Sequence, residues 1–192
     1  MVSAPVRTRV TAEEFLEMPE SAGHELLDGE LVDGEIVEVP MGFDSSWIGG
    51  RLFARATTFV EDHRLGLVAP QETGIQVWAD DPDLVRKPDF LFLKTGRLPR
   101  GRLPAGWLSV VPDCVAEVVS ANDRASELER KLGDYRRAGV PLIWVIYPEP
   151  LKAYVYRLDG SVTELGPGDA LDGEDIIPGF HCPLASLRPV ID

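Results

Sequence analysis

Two short apolar runs flank an amphipathic segment in the middle of the chain. Residues 113–119 and 141–147 are almost wholly apolar and rich in β-branched side chains, which is typical of strands buried on both faces. Between them, Leu128, Leu132 and Tyr135 recur at helical spacing and form one apolar stripe. The pattern predicts a strand, a helix and a second strand, joined as a β-α-β crossover onto one sheet.

The first third of the chain predicts two helices separated by a meander. Thr11 and Glu14 fit a capping box that opens a short helix ending near residue 18. Asp-Gly turn signals separate short apolar runs in residues 24–39, and this alternation predicts an antiparallel meander. Ser45 or Ser46 can cap the next helix, whose apolar face continues to about residue 63.

More strands are predicted on both sides of the crossover, at residues 65–69, 73–79, 84–93, 152–157 and 161–164. A last apolar patch is expected to lie across the edge of the core, and it consists of Ile176, Ile177, Phe180, Leu184 and Leu187. Because the chain shows no repeat, low-complexity stretch or linker, residues 1–192 are predicted to form one α/β domain.

Composition and charge narrow the class of protein. A chain of 192 residues can bury a core without disulfides, and Cys114 and Cys182 lack metal-ligand spacing, so we expect two reduced thiols in a cytoplasmic protein. No apolar run approaches the roughly 20 residues needed to span a membrane. The net charge of -13, from 19 basic and 32 acidic residues, argues against a broad nucleic-acid-binding surface. A small, local nucleic-acid-binding surface remains compatible with this net charge.

Two carboxylates interrupt the apolar strands. Glu117 lies in the middle of the first crossover strand, and Asp89 directly follows Pro88 in the run at residues 84–93. An unpaired buried charge costs several kcal/mol. If the two carboxylates faced each other on neighbouring strands, they would repel unless a cation bound between them. Oxygen ligands suit Mg²⁺ or Mn²⁺, and a backbone carbonyl such as that of Val118 can complete the shell.

A lysine on the following helix completes the candidate site. Lys131 lies three residues after Leu128 and four before Tyr135, so it leaves the helix near the stripe that faces the sheet. There it can position a water and stabilise charge on a phosphate. Each residue also has an ordinary structural interpretation. Lys131 can be a surface lysine with a buried stem, Glu117 the partner of an arginine at the core edge, and Asp89 a turn or bulge residue.

Three segments in this order resemble the Uma2 family of endonucleases, within the PD-(D/E)XK nuclease superfamily. They are PDFLFL at residues 88–93, PDCVAEVVSANDR at 112–124 and ERKLGDYRRAGVPLIWVI at 129–146. HELLDGELV and QETG nearer the start are also similar to that family, and the likeness covers residues 11–157. The resemblance implies a restriction-endonuclease-like fold, in which helices flank a mixed central sheet with an N-terminal antiparallel meander. It also implies Mg²⁺-dependent hydrolysis of phosphodiester bonds.

The resemblance assigns roles to particular residues. Asp89 would be the motif aspartate and Glu117 the motif acid. A plain E-x-K motif would place its lysine where this chain has Val119, so Lys131 would be a migrated lysine on the next helix. Glu25 matches an early glutamate of the family and would be either an acid beside the metal or a structural anchor.

The leading expectation is therefore a small metal-dependent DNase, acting as a homodimer so that two sites address two strands. The alternative is a binding or interaction module that kept the nuclease fold and lost turnover. The acidic composition favours this alternative, and so does Asp44-Ser45-Ser46 at a position where family members often carry a histidine. A metal-dependent hydrolase of another phosphate ester is a third possibility, although the chain has no Gly-rich phosphate loop.

Overall fold

The computed structural model of the protein describes residues 10–18, 26, 42–99, 102–120 and 123–189. Within them, six strands form one mixed sheet in the order of the sequence, β1 to β6. They are β1 (Gly66–Pro70), β2 (Phe90–Lys94), β3 (Cys114–Val118), β4 (Leu142–Tyr147), β5 (Lys152–Arg157) and β6 (Val162–Leu165). The helices are α1 (Ala12–Glu17), α2 (Phe43–Asp62) and α3 (Ala125–Ala138). A small hairpin of β7 (Ala170–Asp172) and β8 (His181–Pro183) precedes a 3-10 turn at Leu184–Leu187.

The predicted crossover is confirmed. β3 and β4 pair in parallel, in a register that runs from Cys114 opposite Leu142 to Val118 opposite Ile146. The other neighbours in the six-stranded sheet pair antiparallel. Apart from Glu117, the side chains of the two crossover strands are apolar, as expected for strands that are buried on both faces. α3 ends at Gly139, whose φ of 81° is the left-handed conformation that glycine adopts without strain.

Two helices cover opposite faces of the sheet. The buried side chains of α2 pack on one face, against a cluster that includes Phe90, Ala116 and Trp144. Leu132 and Tyr135 of α3 pack on the other face. The C-terminal apolar patch joins the α2 side of the core as predicted, with Ile177, Phe180, Leu184 and Leu187 buried and Ile176 packed against them.

The helix boundaries confirm one prediction and correct another. α1 opens with the predicted capping box, in which the Thr11 hydroxyl accepts from the Glu14 amide while the Glu14 carboxylate accepts from the Thr11 amide. α2 begins earlier than predicted, at Phe43, and its N-cap is Gly42. Neither Ser45 nor Ser46 is the cap. The Ser45 hydroxyl instead donates to the carbonyl of Gly42 at 2.9 Å, from inside the first helical turn.

One predicted strand is absent and another is shorter than the sequence pattern suggests. Residues 73–79 form no strand. Ile75 makes only isolated bridges with Arg86 and Leu108, and the Trp107 ring leaves no room for a Cβ at the neighbouring Gly74. The strand predicted at residues 84–93 begins only at Phe90. Proline has no backbone donor, so the ladder starts after Pro88.

The predicted meander at residues 24–39 lies outside the described residues, apart from Leu26, which forms an antiparallel bridge with Val85. None of the described helices is long and apolar enough to cross a lipid bilayer. Cys114 and Cys182 are both buried and unpaired with each other. Burial raises the pKa of the Cys114 thiol well above its ordinary value, so this side chain stays neutral within the core.

Candidate active site

Asp89 lies in a bend immediately before β2, not within the strand as predicted. The last paired residues of β2 and β3 are Phe90 and Ala116, so one further step of the same register places Asp89 opposite Glu117. A carboxylate oxygen of Asp89 accepts a hydrogen bond from the backbone amide of Val118 at 2.7 Å. This bond holds Asp89 against the end of β3.

Glu117 is 6% exposed and is held by two side chains of α3. Lys131 Nζ lies 3.3 Å from Glu117 Oε2, and the Tyr135 hydroxyl donates to Glu117 Oε1 at 2.5 Å. Residues four apart share one face of a helix, so Lys131 and Tyr135 reach the same carboxylate from successive turns. Hydrogen bonds and a positive charge both stabilise a carboxylate in the sheet interior. The burial of Glu117 is thereby compensated.

The structure brings two of the predicted site residues into contact, Glu117 and Lys131. Asp89 lies beside the end of β3, bound to the Val118 amide, and one further step of the β2–β3 register would set it opposite Glu117. Val118 also lies at the site, where its amide contacts Asp89; ligation by its carbonyl remains a prediction. Glu25 lies outside the described residues, and its role remains a prediction as well.

Tyr135 is the residue that sequence reasoning missed. Its ring belongs to the apolar cluster under α3, as its place in the stripe predicts, and the residue is fully buried. A buried tyrosine usually finds a partner for its hydroxyl. The available signal was the four-residue spacing from Lys131, because two residues on one helix face can address one carboxylate.

A cleft of about 200 Å³ adjoins Asp89. Its lining is mainly the start of α2, and the full set is Ser45, Ser46, Gly49, Gly50, Phe53, Pro70, Gln71 and Asp89. A Cβ added at Gly50 would meet nothing within 4 Å, and one at Gly49 would make only ordinary contact with Val118 at 3.8 Å. Packing therefore does not require these glycines. Their effect is to leave the helix backbone accessible beside Asp89.

A buried ion pair ties the segment before Asp89 to α3. The guanidinium of Arg86, which is 0% exposed, donates to one carboxylate oxygen of Asp134 at 2.9 and 2.6 Å. Asp134 directly precedes Tyr135, and its backbone carbonyl accepts from the indole of Trp78 at 2.8 Å. These contacts fix the distance between the chain that carries Asp89 and the helix that carries Lys131.

The next residue, Lys87, is also largely buried. Its ammonium lies 3.3 Å from a carboxylate oxygen of Glu72, and 5.8 and 5.5 Å from the ring centroids of Phe15 and Trp107. Cation-π contact and the ion pair together stabilise the charge. The segment that leads to Asp89 is thus anchored on both sides, to α3 by Arg86 and to α1 by Lys87.

The donor atoms at the site are few but of one chemical kind. Within the described part of the chain, no group of three or more His, Cys, Asp or Glu side chains is gathered as a metal-binding cluster. The side chains of Asp89 and Glu117 supply carboxylate oxygens only, which is the chemistry that Mg²⁺ and Mn²⁺ prefer. The two residues are thus of the chemical kind that holds a divalent cation.

The fold and site define an α/β protein in which a mixed sheet, covered by helices on both faces, carries a buried carboxylate in contact with a lysine of α3. The family described as "Putative restriction endonuclease" matches residues 12–185, so the chain belongs to the Uma2 family. The match confirms the resemblance drawn from the sequence, and it extends beyond residue 157 to include β6, β7 and β8.

A crystal structure of a protein from Anabaena variabilis ATCC 29413, described as a "putative nuclease", has a similar fold. The TM-score is 0.73 at 18% sequence identity, and the similarity covers 93% of this chain and 97% of that one. At that identity the similarity establishes the shared fold alone. No curated protein matches the chain.

Proposed function

We propose that this protein is a metal-dependent endonuclease that hydrolyses DNA phosphodiester bonds. One observation carries the proposal: Lys131 Nζ lies 3.3 Å from Glu117, the acid that one further step of the β2–β3 register would set opposite Asp89. Membership of the Uma2 family, whose description is that of a restriction endonuclease, supports nuclease activity. The Anabaena protein of similar fold is also described as a nuclease, which agrees with this proposal.

Asp89 and Glu117 would hold Mg²⁺ or Mn²⁺, with the carbonyl of Val118 and the carboxylate of Glu25 as further candidate ligands. When bound, such an ion would neutralise charge on the scissile phosphate and lower the pKa of a coordinated water. Asp89 is suited to this role because the amide of Val118 restrains its orientation. Glu117 is similarly restrained by Tyr135. A side chain that is already held in place before the ion arrives loses little conformational freedom when it binds that ion.

Lys131 would act on the attacking water and on the developing charge. Its side chain is 22% exposed, so the ammonium lies at the boundary between the buried acid and solvent. From there it can donate to a water or to a phosphate oxygen while it keeps contact with Glu117. Tyr135 is the positioning residue in this scheme, because it acts on the substrate only through Glu117.

Exposed arginines on α3 support a phosphate backbone as the substrate. Arg124, the N-cap of α3, and Arg130, within α3, are exposed, and neither forms an ion pair with another described residue. Arginines of this kind contact phosphates without reading sequence. We further propose that residues 1–192 act as one domain in the cytoplasm, as a homodimer that directs two sites to two strands.

The second candidate function is a nuclease-fold module that binds without cleaving. The specific observation in its favour is that Lys131 and Tyr135 both engage the Glu117 carboxylate. A cation must then compete with these partners for the same oxygens. The net charge of -13 also disfavours a broad DNA-binding surface.

A cleavage assay distinguishes the two functions. Plasmid and single-stranded DNA would be incubated with Mg²⁺ or Mn²⁺ and with wild type, Lys131→Ala or Lys152→Ala, the last being a control because Lys152 pairs with Glu164 on the outer strands. We expect cleavage by wild type and Lys152→Ala, and none by Lys131→Ala. Equal activity of all three would remove Lys131 from the mechanism. A wild type that binds Mn²⁺ and DNA without cleaving either substrate would establish the binding module instead.

A further inference from the structure

Two aromatic side chains stand exposed at the start of α2. Phe43 is 80% exposed and Trp47, one turn later, is 37% exposed. Their ring centroids lie 6.1 Å apart, with the planes tilted by 30°. Neighbouring exposed aromatic rings leave a large apolar surface in water, and a surface of this kind commonly marks a binding site.

Two arginines continue along the same helix at the same spacing of four residues. Arg51 and Arg55 are exposed, and neither forms an ion pair with any other residue that the structure describes. The only hydrogen bond of the Arg55 side chain in this part of the chain is to the backbone carbonyl of Ser186, at 3.4 Å. In a protein of net charge -13, two positive charges that no described residue pairs, standing beside exposed rings, favour an anionic partner.

This surface adjoins Asp89, the one residue of the candidate site that lines the cleft beside α2; Glu117 and Lys131 do not line that cleft. Ser46 and Gly50 are exposed on α2, and both line the cleft that contains Asp89. At about 100° per residue, they lie on the flank of the helix next to Phe43, with Trp47 and then Arg51 further round. A polymer that leaves the cleft across Gly50, where there is open space, therefore meets the two rings first and the arginines next.

We propose that this aromatic-basic face, defined as Phe43, Trp47, Arg51 and Arg55, binds a single-stranded segment of nucleic acid next to Asp89 of the candidate site. Bases stack on Phe43 and Trp47, and phosphates pair with Arg51 and Arg55. The inference rests on the proposed endonuclease function and narrows its substrate class. Bases in a duplex are stacked on one another and present no free face, so the preferred substrate contains unpaired bases.

Binding would be measured with full-length protein that carries Lys131→Ala, to prevent cleavage. The probes are a labelled thymidine oligonucleotide of about 16 nucleotides and a duplex of equal length. We expect Phe43→Ala with Trp47→Ala to weaken single-strand binding tenfold or more and to change duplex binding less than twofold. Leu158→Ala is the control, since Leu158 is 64% exposed but lies at the turn between β5 and β6. The Leu158→Ala variant should bind both probes as tightly as the parent protein does.

Two further readouts separate direct contact from an indirect structural effect. Trp47→Phe keeps a ring, so it should restore most of the single-strand affinity and remove the quenching of tryptophan fluorescence that stacking produces. Arg51→Ala with Arg55→Ala should reduce the slope of log affinity against log salt by about 1.4, because each phosphate contact on a single strand contributes roughly 0.7.

The outcomes that would overturn the inference differ from those that would overturn the endonuclease. If the alanine variants bind the thymidine strand as tightly as the parent, the face is not a nucleic-acid surface, while the cleavage result stands independently. If they convert a dimer to a monomer, the occupant is a second copy of the chain and the inference fails. If no protein binds either probe, the inference and the proposed function fail together.

Discussion

The ammonium of Lys131 lies 3.3 Å from the carboxylate of Glu117, although fourteen positions separate the two residues in the sequence. Side chains two residues apart on a strand share a face, so a lysine at position 119 would stand beside Glu117 directly. This chain has Val119 there, which packs against the apolar cluster under α3. The helix that covers the strand supplies the cation instead, from its second turn.

Asp89→Asn should abolish stabilisation of the protein by Mn²⁺. A ligand at a hundred times its dissociation constant stabilises a folded protein by about 2.7 kcal/mol, and the amide of asparagine is a much weaker ligand than a carboxylate. The measurement is the free energy of unfolding with and without Mn²⁺. Asp175→Asn is the matched control, since Asp175 is exposed and away from the site. Undiminished stabilisation in Asp89→Asn would show that Asp89 is not a ligand.

Tyr135→Phe should lower the free energy of unfolding by about 2 kcal/mol, because a hydrogen bond to a charged acceptor contributes roughly 1.5–3 kcal/mol. The bond is 2.5 Å long and fully enclosed. Tyr147→Phe is the control, since the Tyr147 hydroxyl makes no hydrogen bond with another described residue. Denaturant titration of both variants gives the comparison. Equal small losses would mean that the hydroxyl of Tyr135 contributes nothing specific.

The sequence alone predicts the crossover, which the structure confirms, and proposes three charged residues for a site, of which the structure shows Glu117 and Lys131 in contact. Helical and strand periodicities are strong in this part of the chain, and a carboxylate in an apolar strand is conspicuous because its burial is costly. Glu117 and Lys131 could therefore be assigned to one site from the sequence. In the structure α3 directly follows β3 along the chain, as this assignment requires.

Other features depend on contacts that no local pattern carries. The position of Asp89 before the strand follows from the missing amide of Pro88, yet an edge strand or a bulge would satisfy the same constraint. The polar role of Tyr135 is hidden, because its ring is as apolar as the stripe requires. The pairing of Arg86 with Asp134 joins residues 48 positions apart, and only the fold brings them together.

Asp134→Ala should destabilise the protein by about 3 kcal/mol. Removal of one partner leaves the guanidinium of Arg86 in a fully buried position without its carboxylate, and broken buried pairs typically cost roughly 3–5 kcal/mol. Asp80→Ala provides the contrast. Asp80 also forms an ion pair, with Arg137, but it is 66% exposed, so its loss should cost less than about 1 kcal/mol. Similar costs for the two variants, measured by denaturant unfolding, would refute a stabilising role specific to the buried pair.

A double-mutant cycle between Glu117 and Tyr135 tests the energetic coupling inside the site. Glu117→Leu removes a buried carboxylate but deprives the Tyr135 hydroxyl of this acceptor, so we expect a cost of about 2 kcal/mol despite the gain in apolar volume. In Glu117→Leu with Tyr135→Phe, both the donor and the acceptor of this hydrogen bond are replaced by apolar side chains. The double variant should therefore be less destabilised than the sum of the single variants, by about 1–2 kcal/mol.

The same cycle with Tyr147→Phe in place of Tyr135→Phe should be additive within about 0.5 kcal/mol, because no hydrogen bond links Tyr147 to Glu117. All free energies would be measured without metal, so that any loss of a bound ion does not enter the comparison. Additivity in the Tyr135 cycle as well would mean that the tyrosine and the acid are neighbours without mutual stabilisation. Glu117 would then depend on Lys131 for its burial, and Tyr135 would have no role in positioning the acid.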